Sequence, residues 1–169
     1  TKKLAEVSYT KVGPKYFRLE KGKLPRLYNS NDDINIGYKK LQTSKNDTII
    51  FSSGYMTQKV HNVVKKLKKE NIFVDHVDIY KIKPLPINEI VKLSQNKNVI
   101  IVEENIKSGG LGEKIFSILK EAGHINKALS ISLENKFYFD YHVDREKLHH
   151  IAGIDEDSIF VKVKKFIYS

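Results

Sequence analysis

The sequence predicts an α/β fold in three layers: a five-stranded, mostly parallel sheet with one antiparallel edge strand and helices on both faces. From Ile34 onward, apolar runs of strand length alternate with runs of helical period, the pattern of parallel strands joined by crossover helices. The 169 residues, 40% of them hydrophobic, suffice to bury one core without a disulfide or a structural metal. Turn and cap residues separate the runs and give the elements recognisable ends.

The beginning of the chain differs from the rest. Leu4–Val12 has a helical pattern, and Lys15–Leu19, after a Gly-Pro pair, is typical of a strand. Glu20–Asp33 is polar and has the composition of a loop or linker. We therefore expect three parts: a first segment at 1–28, a linker at 29–33 and a separate domain at 34–169.

That domain is predicted to contain five strands: Ile34–Leu41, Thr48–Ser52, Phe73–Ile79, Val99–Glu103 and Ala128–Leu133. Ile34–Leu41 alternates like a half-exposed strand, so we expect it to be the antiparallel edge. The clearest helix has one apolar stripe with lysines on the opposite face, formed by Met56, Val60, Val63, Val64 and Leu67. Asn71 is expected to cap its end.

Three further helices follow from apolar periods and their end signals. They are Leu111–Ala122 stopping at Gly123, Arg145–Ala152 between Asp144 and Gly153, and Ile159–Ile167 capped by Asp155.

Composition and charge exclude several classes of protein. The formal charge is +10, yet it is spread along the chain: 11 basic and 5 acidic residues in 1–49, 19 and 15 in 50–169. Basic residues interleaved with aromatics, which nucleic-acid modules use, are missing. The chain has no Cys, which excludes disulfides and thiolate metal sites. The absence of Cys also fits a cytoplasmic location, and the spread charge predicts no nucleic-acid partner. The apolar runs are too short to span a bilayer, so we expect no membrane. Because it begins at Thr1, we expect a piece of a longer protein.

A glycine-rich turn after the Val99–Glu103 strand is the first candidate site. Gly109, Gly110 and Gly112 open the next helix, where backbone N–H groups could cradle a phosphate or another anion. The alternative is that these glycines let the helix approach the sheet closely, and the incomplete G-x-G-x-x-G spacing favours that interpretation. Glu103 and Glu104 disfavour a phosphate, and as neighbours on an extended segment they point to opposite sides.

The hydroxyl and imidazole side chains give weaker signals. Ser52-Ser53-Gly54 is expected to cap the next helix, because a nucleophile elbow needs Gly-x-Ser-x-Gly. His149 and His150 are about 100° apart on a helix and cannot share a metal. The other four histidines are scattered, and no metal site is predicted.

Arg18 and Lys21 are the second candidate site, for binding a phosphate. They lie on and just after the predicted strand Lys15–Leu19 and lead into a glycine-containing loop. An arginine guanidinium can grip a phosphate at two points. The alternative is a solvated basic loop.

Taken in order, four groups of residues resemble the C-terminal part of transketolase-family enzymes: Gly13-Pro14 to Gly22, Asp47 to Gly54, Val77 to Leu85 and Val102 to Gly112. The helix that ends at Gly153-Ile154-Asp155 is similar too. The resemblance identifies 1–28 as the tail of the pyrimidine-binding domain and 34–169 as the whole C-terminal domain.

The resemblance implies part of a thiamine-diphosphate enzyme that transfers two-carbon or acyl units between sugar phosphates or oxoacids. The Gly-Asp-Gly motif that binds Mg²⁺ and diphosphate is missing from this sequence, so the resemblance implies no cofactor binding and no catalysis by this piece alone. It implies packing and dimer contacts, with other domains or subunits as partners, and it places Arg18 and Lys21 near a substrate phosphate. The alternatives are a subunit-docking domain of a 2-oxoacid dehydrogenase or oxidoreductase, and a stand-alone anion-binding module.

Overall fold

The fold was obtained as a computed structural model, which describes residues 2–29, 31–44, 46–124, 126–139 and 143–169. Its helices are α1 (Lys2–Thr10), α2 (Tyr55–Lys69), α3 (Ile87–Ser94), α4 (Leu111–Glu121), α5 (Arg145–Ile151) and α6 (Glu156–Tyr168). Its strands are β1 (Tyr38–Gln42), β2 (Thr48–Ser52), β3 (Asp75–Ile79), β4 (Asn98–Ile106) and β5 (Ala128–Leu133).

The five strands form one sheet in the order β1-β3-β2-β4-β5. The β2–β3, β2–β4 and β4–β5 pairs are parallel, and β1 pairs antiparallel with β3 at the edge, with Tyr38 opposite Ile79. The predicted fold class is therefore confirmed, including the antiparallel edge, although that strand begins four residues later than predicted.

Helices cover both faces because alternate residues of the central strands point to opposite sides. Ile50 of β2 and Ile100 of β4 pack with residues of α2 and α6. Ile49 and Phe51 of β2 pack on the other face, with residues of α3 and α4. These strand residues have no exposed surface, and such two-sided burial explains the continuous apolar sequence of β2 and β4.

The predicted caps are observed where a side chain can reach the first helical N–H groups. Asp144 accepts from Lys147 N at the start of α5, and Asp155 accepts from Asp157 N and Ser158 N at the start of α6. Asn71 adopts a left-handed conformation after α2, with φ of 59°.

One predicted element was wrong, and one helix was missed. Lys15–Leu19 forms no strand, because no other strand of the described chain lies beside it to supply hydrogen bonds, and its residues are exposed. α3 was missed, because at eight residues it is too short for a clear helical period. The linker region has neither helix nor strand at residues 29 and 31–33, and the division into domains stays a prediction.

Candidate functional site

Polar side chains collect at the carboxyl edge of the sheet, where β2, β3 and β4 end. This is the edge at which open α/β sheets bind their ligands. Ser52 stands at the end of β2, Asp78 near the end of β3, and Glu103 and Glu104 on β4. All but Glu104 are buried. What each side chain contacts decides what this edge can do.

An N-terminal segment lies across this edge, and we call residues 20–28 the strap. The Tyr28 hydroxyl donates a hydrogen bond to Asp78 Oδ2. Gln58 Nε2 of α2 donates to the carbonyl oxygen of Pro25 at 2.7 Å, and Lys39 Nζ of β1 donates to that of Leu27 at 3.0 Å. A cavity of about 330 Å³ remains between the strap and the start of α2. The strap is therefore fastened to two elements and to the carboxylate of Asp78.

Behind the strap, a buried chain of hydrogen bonds ends on Asp78. Ser52 Oγ lies 2.8 Å from His76 Nε2 and donates to Thr57 Oγ1 at 3.1 Å, and Thr57 Oγ1 donates to Asp78 Oδ1 at 2.8 Å. Because the Ser52 proton points to Thr57, we assign the His76 Nε2 proton to the Ser52 oxygen. Among the described residues, His76 Nδ1 has no hydrogen-bond partner.

This chain of hydrogen bonds does not activate a nucleophile. Burial, and to a smaller extent the neighbouring His61, lowers the pKa of His76 to about 3, so the imidazole is neutral. His76 donates to Ser52 rather than accepting its proton, as a general base would have to. Burial also raises the pKa of Asp78, although hydrogen bonds from Tyr28 and Thr57 oppose that shift. Ser52 is fully buried, so this cluster is structural.

The predicted helix cap at Ser52-Ser53-Gly54 was wrong. Gly54 occupies the N-cap position of α2, and no side chain accepts a hydrogen bond there. Ser52 is drawn instead into the buried cluster, where His76 and Thr57 satisfy its hydroxyl.

The backbone N–H groups of the glycine turn bind a carboxylate of the protein itself, the side chain of Glu103. Glu103 accepts hydrogen bonds from Leu111 N at 2.7 Å and from Gly112 N at 2.8 Å. Its residue is only 2% exposed, and burial raises the pKa of its carboxyl while the two N–H groups oppose that shift. Gly109 N donates to Glu113 Oε2 at 2.5 Å. The predicted cradle at Gly109, Gly110 and Gly112 is therefore already filled by side chains of the chain.

The close approach of α4 to β4 explains two of these glycines. A Cβ atom on Gly110 would lie 2.6 Å from Glu103 Oε1 and 2.7 Å from Ile106 O. A Cβ atom on Gly112 would lie 3.1 Å from Glu103 Oε1. The interpretation that the glycines permit close packing fits this geometry better than the anion-site interpretation.

Arg145, the first residue of α5, joins the strap to the sheet. Its Nη1 and Nη2 donate to the Glu20 carboxylate at 2.8 and 3.3 Å, and its Nε donates to Glu104 Oε1 at 2.7 Å, with a second bond from Nη2 to Glu104. The face of the guanidinium lies 3.8 Å from the centre of the Tyr55 ring. Glu104 also contacts His149 Nε2 at 2.7 Å. As predicted, Glu103 and Glu104 point to opposite sides.

The titration of this cluster follows from its ion pairs. The hydrogen bond from Arg145 lowers the pKa of Glu20. Burial alone would raise the pKa of Glu104, but hydrogen bonds from His149 and Arg145 lower it to about 2. Hydrogen bonds to Glu104 and Glu20 raise the pKa of Arg145. Both carboxylates are therefore ionised at neutral pH.

Arg18 and Lys21 stand beside this cluster on the N-terminal segment. Both are exposed, and within the described chain neither makes a hydrogen bond or an ion pair. Glu20 lies between them in sequence, and its carboxylate is bound by Arg145. The structure thus leaves these two cations available to an external anion, and their assignment to a substrate phosphate stays a prediction.

The rarity of arginine in this sequence could have drawn attention to Arg145, which the sequence analysis did not select as a site residue. Only three of the 30 basic residues are arginines, namely Arg18, Arg26 and Arg145. Arginine is required where one cation must bind two carboxylates in fixed directions. Tyr28 and Asp78 had no comparable signal, because 50 residues separate them in sequence.

The histidines form no metal site in the part of the chain that is described. His149 is buried against Glu104, whereas His150 is exposed, with Nδ1 3.6 Å from Asp155 Oδ2. His142 lies outside the described residues. Within the described ranges, no three His, Asp or Glu side chains are placed to hold a metal ion. None of the described helices is long and apolar enough to cross a membrane.

Comparison with protein families identifies most of this domain. The family model described as "Transketolase, C-terminal domain" matches residues 37–159. The 1-deoxy-D-xylulose-5-phosphate synthase of Dehalococcoides mccartyi (strain ATCC BAA-2266 / KCTC 15142 / 195) is 34% identical over 134 residues, which are 78% of this chain and 20% of that protein. The synthase of the same name from Clostridium perfringens (strain SM101 / Type A) is 30% identical over 124 residues, 72% of this chain and 20% of that protein. The chain thus spans about a fifth of these relatives.

Solved structures share the fold. One described as "Split gene transketolase, inactive beta4 tetramer" superposes with a TM-score of 0.75 at 22% identity, covering 86% of this chain and 47% of that chain. The transketolase of Campylobacter jejuni subsp. jejuni superposes with a TM-score of 0.59 at 13% identity, covering 79% and 19%.

Proposed function

This chain belongs to the transketolase C-terminal domain family, and on that basis we propose that it is the C-terminal domain of a thiamine-diphosphate enzyme similar to 1-deoxy-D-xylulose-5-phosphate synthase. The observation that carries the proposal is the family match over residues 37–159, together with sequence relatives that bear this one enzyme name. The enzyme would transfer a two-carbon or acyl unit from an oxoacid or ketose to a sugar-phosphate acceptor.

Within that enzyme, the domain has a structural and assembly role. The carboxyl edge of its sheet supports this, because Glu103 is bound by helix N–H groups, Asp78 by Tyr28, and Glu104 by Arg145. Acid–base catalysis needs a group that can exchange a proton with substrate. Each of these carboxyl groups is instead occupied by donors of the chain itself, so the transfer chemistry belongs to other parts of the enzyme.

The cofactor also belongs to those other parts. Thiamine diphosphate is held through a metal ion on its diphosphate, and the described residues contain no group of metal ligands for it. The one built anion cradle in the described chain, at Leu111 and Gly112, is occupied by Glu103. The residues of this domain therefore do not fit the cofactor, and we assign them no step that involves it.

The N-terminal arm, residues 2–19, supplies contacts to the rest of the enzyme, whether that rest is the same chain or a separate subunit. Tyr9, Val12 and Tyr16 on this arm are almost fully exposed. Isolated exposed apolar residues are common, but a series of them on one projecting segment is typical of a surface that another domain covers. A homo-oligomer of the whole enzyme would bury this arm further.

Arg18 and Lys21 bind the phosphate of the substrate in this proposal. Neither side chain makes a hydrogen bond or an ion pair within the described chain, and an arginine on a phosphate makes a charge-assisted contact worth about 1.5–3 kcal/mol. In the enzyme that contains this chain, Arg18→Ala should therefore raise the KM for a phosphorylated substrate by roughly 10- to 150-fold. Lys21→Ala should act in the same direction. A dephosphorylated analogue should show little change with either variant, and the exposed neighbour Lys23 provides the control Lys23→Ala.

Two measurements test the whole proposal. Titration calorimetry of this chain with thiamine diphosphate and Mg²⁺ should give no heat of binding, and a micromolar isotherm would overturn the division of roles. The enzyme that contains the chain should form 1-deoxy-D-xylulose 5-phosphate, or transfer a ketol unit between sugar phosphates, in a cofactor-dependent way. An enzyme without either activity would remove the functional assignment and leave only the family.

A further inference from the structure

The strap carries an acidic residue where a phosphate site should have none. Glu20 lies two residues after Arg18 and directly before Lys21. Arg18 contributes to lowering the pKa of Glu20, although less than Arg145 does, so the two side chains are near enough to attract each other. An unrestrained Glu20 would pair with one of the two cations and compete with a substrate phosphate for it.

Arg145 binds both Glu20 oxygens. The two N–H···O distances are 2.8 and 3.3 Å, and a two-point contact of this kind fixes direction as well as distance. The side chains are partly exposed, at 36% for Arg145 and 29% for Glu20. Exposed ion pairs are usually weak, but those held in a two-point geometry within a network are the exception.

The guanidinium itself is held from two further directions. Glu104 binds its other edge, and the Tyr55 ring lies against its face at 3.8 Å. His149 of α5 is hydrogen-bonded to the same Glu104. Contacts with β4 and α2, and its place at the start of α5, thus fix the position of the Arg145 side chain. The hydrogen bonds from Arg145 in turn fix the position of Glu20.

We propose that Arg145 is a positioning residue for substrate phosphate: by holding Glu20, it fixes the segment that carries Arg18 and Lys21 and keeps Glu20 from pairing with them. The inference rests on the proposed function and deepens it, because it explains how a domain without catalytic groups controls recognition of a phosphorylated substrate. Arg145 does not contact the substrate.

The test uses the enzyme that contains this chain and compares a phosphorylated substrate with its dephosphorylated analogue. Arg145→Met should raise the KM for the phosphorylated substrate about tenfold, the loss expected for one charge-assisted contact, with little change in kcat. The KM for the analogue should stay the same. Adding Glu20→Gln to Arg145→Met should bring the KM for the phosphorylated substrate back down, because the competing carboxylate is gone.

Lys59→Met is the matched control. Lys59 also binds a glutamate of α5, with Nζ 2.7 Å from Glu146 Oε2, and it also lies near the Tyr55 ring, at 5.7 Å. Among the described residues, its hydrogen bond, ion pair and ring contact are all made outside the strap. Lys59→Met should therefore leave the ratio of the two KM values unchanged, even if it lowers stability.

Limited trypsin digestion of the strap gives a readout that does not depend on activity. Lys21 and Lys23 are exposed cleavage sites on the strap, and cleavage after them should be faster in Arg145→Met than in the wild type or in Lys59→Met. Unchanged cleavage, equal KM increases for both substrates, or no rescue by Glu20→Gln would each overturn the inference. A wild-type enzyme that does not prefer the phosphorylated substrate would overturn the proposed function instead, and the cleavage rates would still decide whether Arg145 holds the strap.

Discussion

Replacing Gly110 by Ala tests the tightest contact in this domain, between the start of α4 and the end of β4. The added Cβ atom would lie 2.6 and 2.7 Å from the two Glu103 oxygens and 2.7 Å from the Ile106 carbonyl oxygen. One neighbour is backbone, and the other is a carboxylate held by Leu111 N and Gly112 N. Neither can move without breaking hydrogen bonds or shifting the helix.

The expected cost is about 2–4 kcal/mol. Overpacking a well-filled site costs about 1–3 kcal/mol, and displacing Glu103 weakens hydrogen bonds to a charged group that are worth about 1.5–3 kcal/mol each. Gly110 has a φ of −76°, which alanine adopts without strain. Gly110 is the N-cap of α4, where alanine is less favourable than glycine by up to about 1 kcal/mol, and this offsets the gain of about 0.4–1 kcal/mol from restricting the unfolded chain. Without the clash the net change would be close to zero, so a loss of about 2 kcal/mol or more is the signature of the contact.

Urea denaturation of this chain, followed by far-ultraviolet circular dichroism, measures the effect. Gly22→Ala is the control, because nothing lies within 4 Å of the point that its Cβ atom would occupy, and the φ of Gly22 lies outside the left-handed region. It should change stability by less than about 0.5 kcal/mol. Gly112→Ala, with its nearest contacts at 3.1 Å, should fall between the two. If Gly110→Ala were as stable as Gly22→Ala, the close approach of α4 to β4 would be refuted.

Three more predictions concern charge and packing. Burial raises the pKa of Asp78 above its ordinary value of 3.8. The protonated Asp78 side chain therefore contributes its full share of the unfolding free energy below pH 3.8, and this share is lost as the pH rises through the pKa that Asp78 has in the folded protein. Asp78→Asn should abolish this pH dependence. As the pH is raised from about 4, the urea midpoint of the wild type should therefore fall relative to the midpoint of the variant. Glu104 behaves oppositely, because its pKa is lowered from 4.5 to about 2: its contribution is present above 4.5 and is lost as the pH falls toward 2, so Glu104→Gln should flatten the acid limb of the same stability curve. Val63→Ala, at a fully buried position, should cost about 1.5–3 kcal/mol of unfolding free energy, whereas Val161→Ala on the exposed face of α6 should cost less than about 0.5, and equal losses would contradict the packing of α2.

The sheet could be predicted because buried strands and helices require apolar residues at regular spacings in the sequence. β2 and β5 begin and end where predicted, and the apolar stripe of α2 lies on the sheet. β4 extends past Glu103 to Ile106, which the polar sequence of its end concealed. The Lys15–Leu19 strand failed because a strand depends on a partner, and a local pattern says nothing about where a partner lies.

The candidate site was predictable only in part. Arg18 and Lys21 are candidates from residue type, position and the family resemblance; the structure leaves both of them exposed, and their role stays a prediction. The contact between Glu20 and Arg145 joins residues 125 positions apart. Neither residue falls in an apolar period that would place it, so the pairing required the tertiary fold. The same holds for the role of the glycine turn, where sequence could not tell an external anion from Glu103.

Hydrogen-bond partners within the chain explain why the polar groups at the carboxyl edge bind no ligand in this proposal. Four side chains there would attract a ligand in an open α/β sheet, and each has a partner within the chain: Ser52, Asp78, Glu103 and Glu104. A ligand would have to replace these hydrogen bonds, and a hydrogen bond to a carboxylate costs about 1.5–3 kcal/mol to give up. The edge therefore works as a joint that holds the strap. Arg18 lies just before the strap and Lys21 within it, so the fold of this domain would act on the reaction by fixing where those two charges stand.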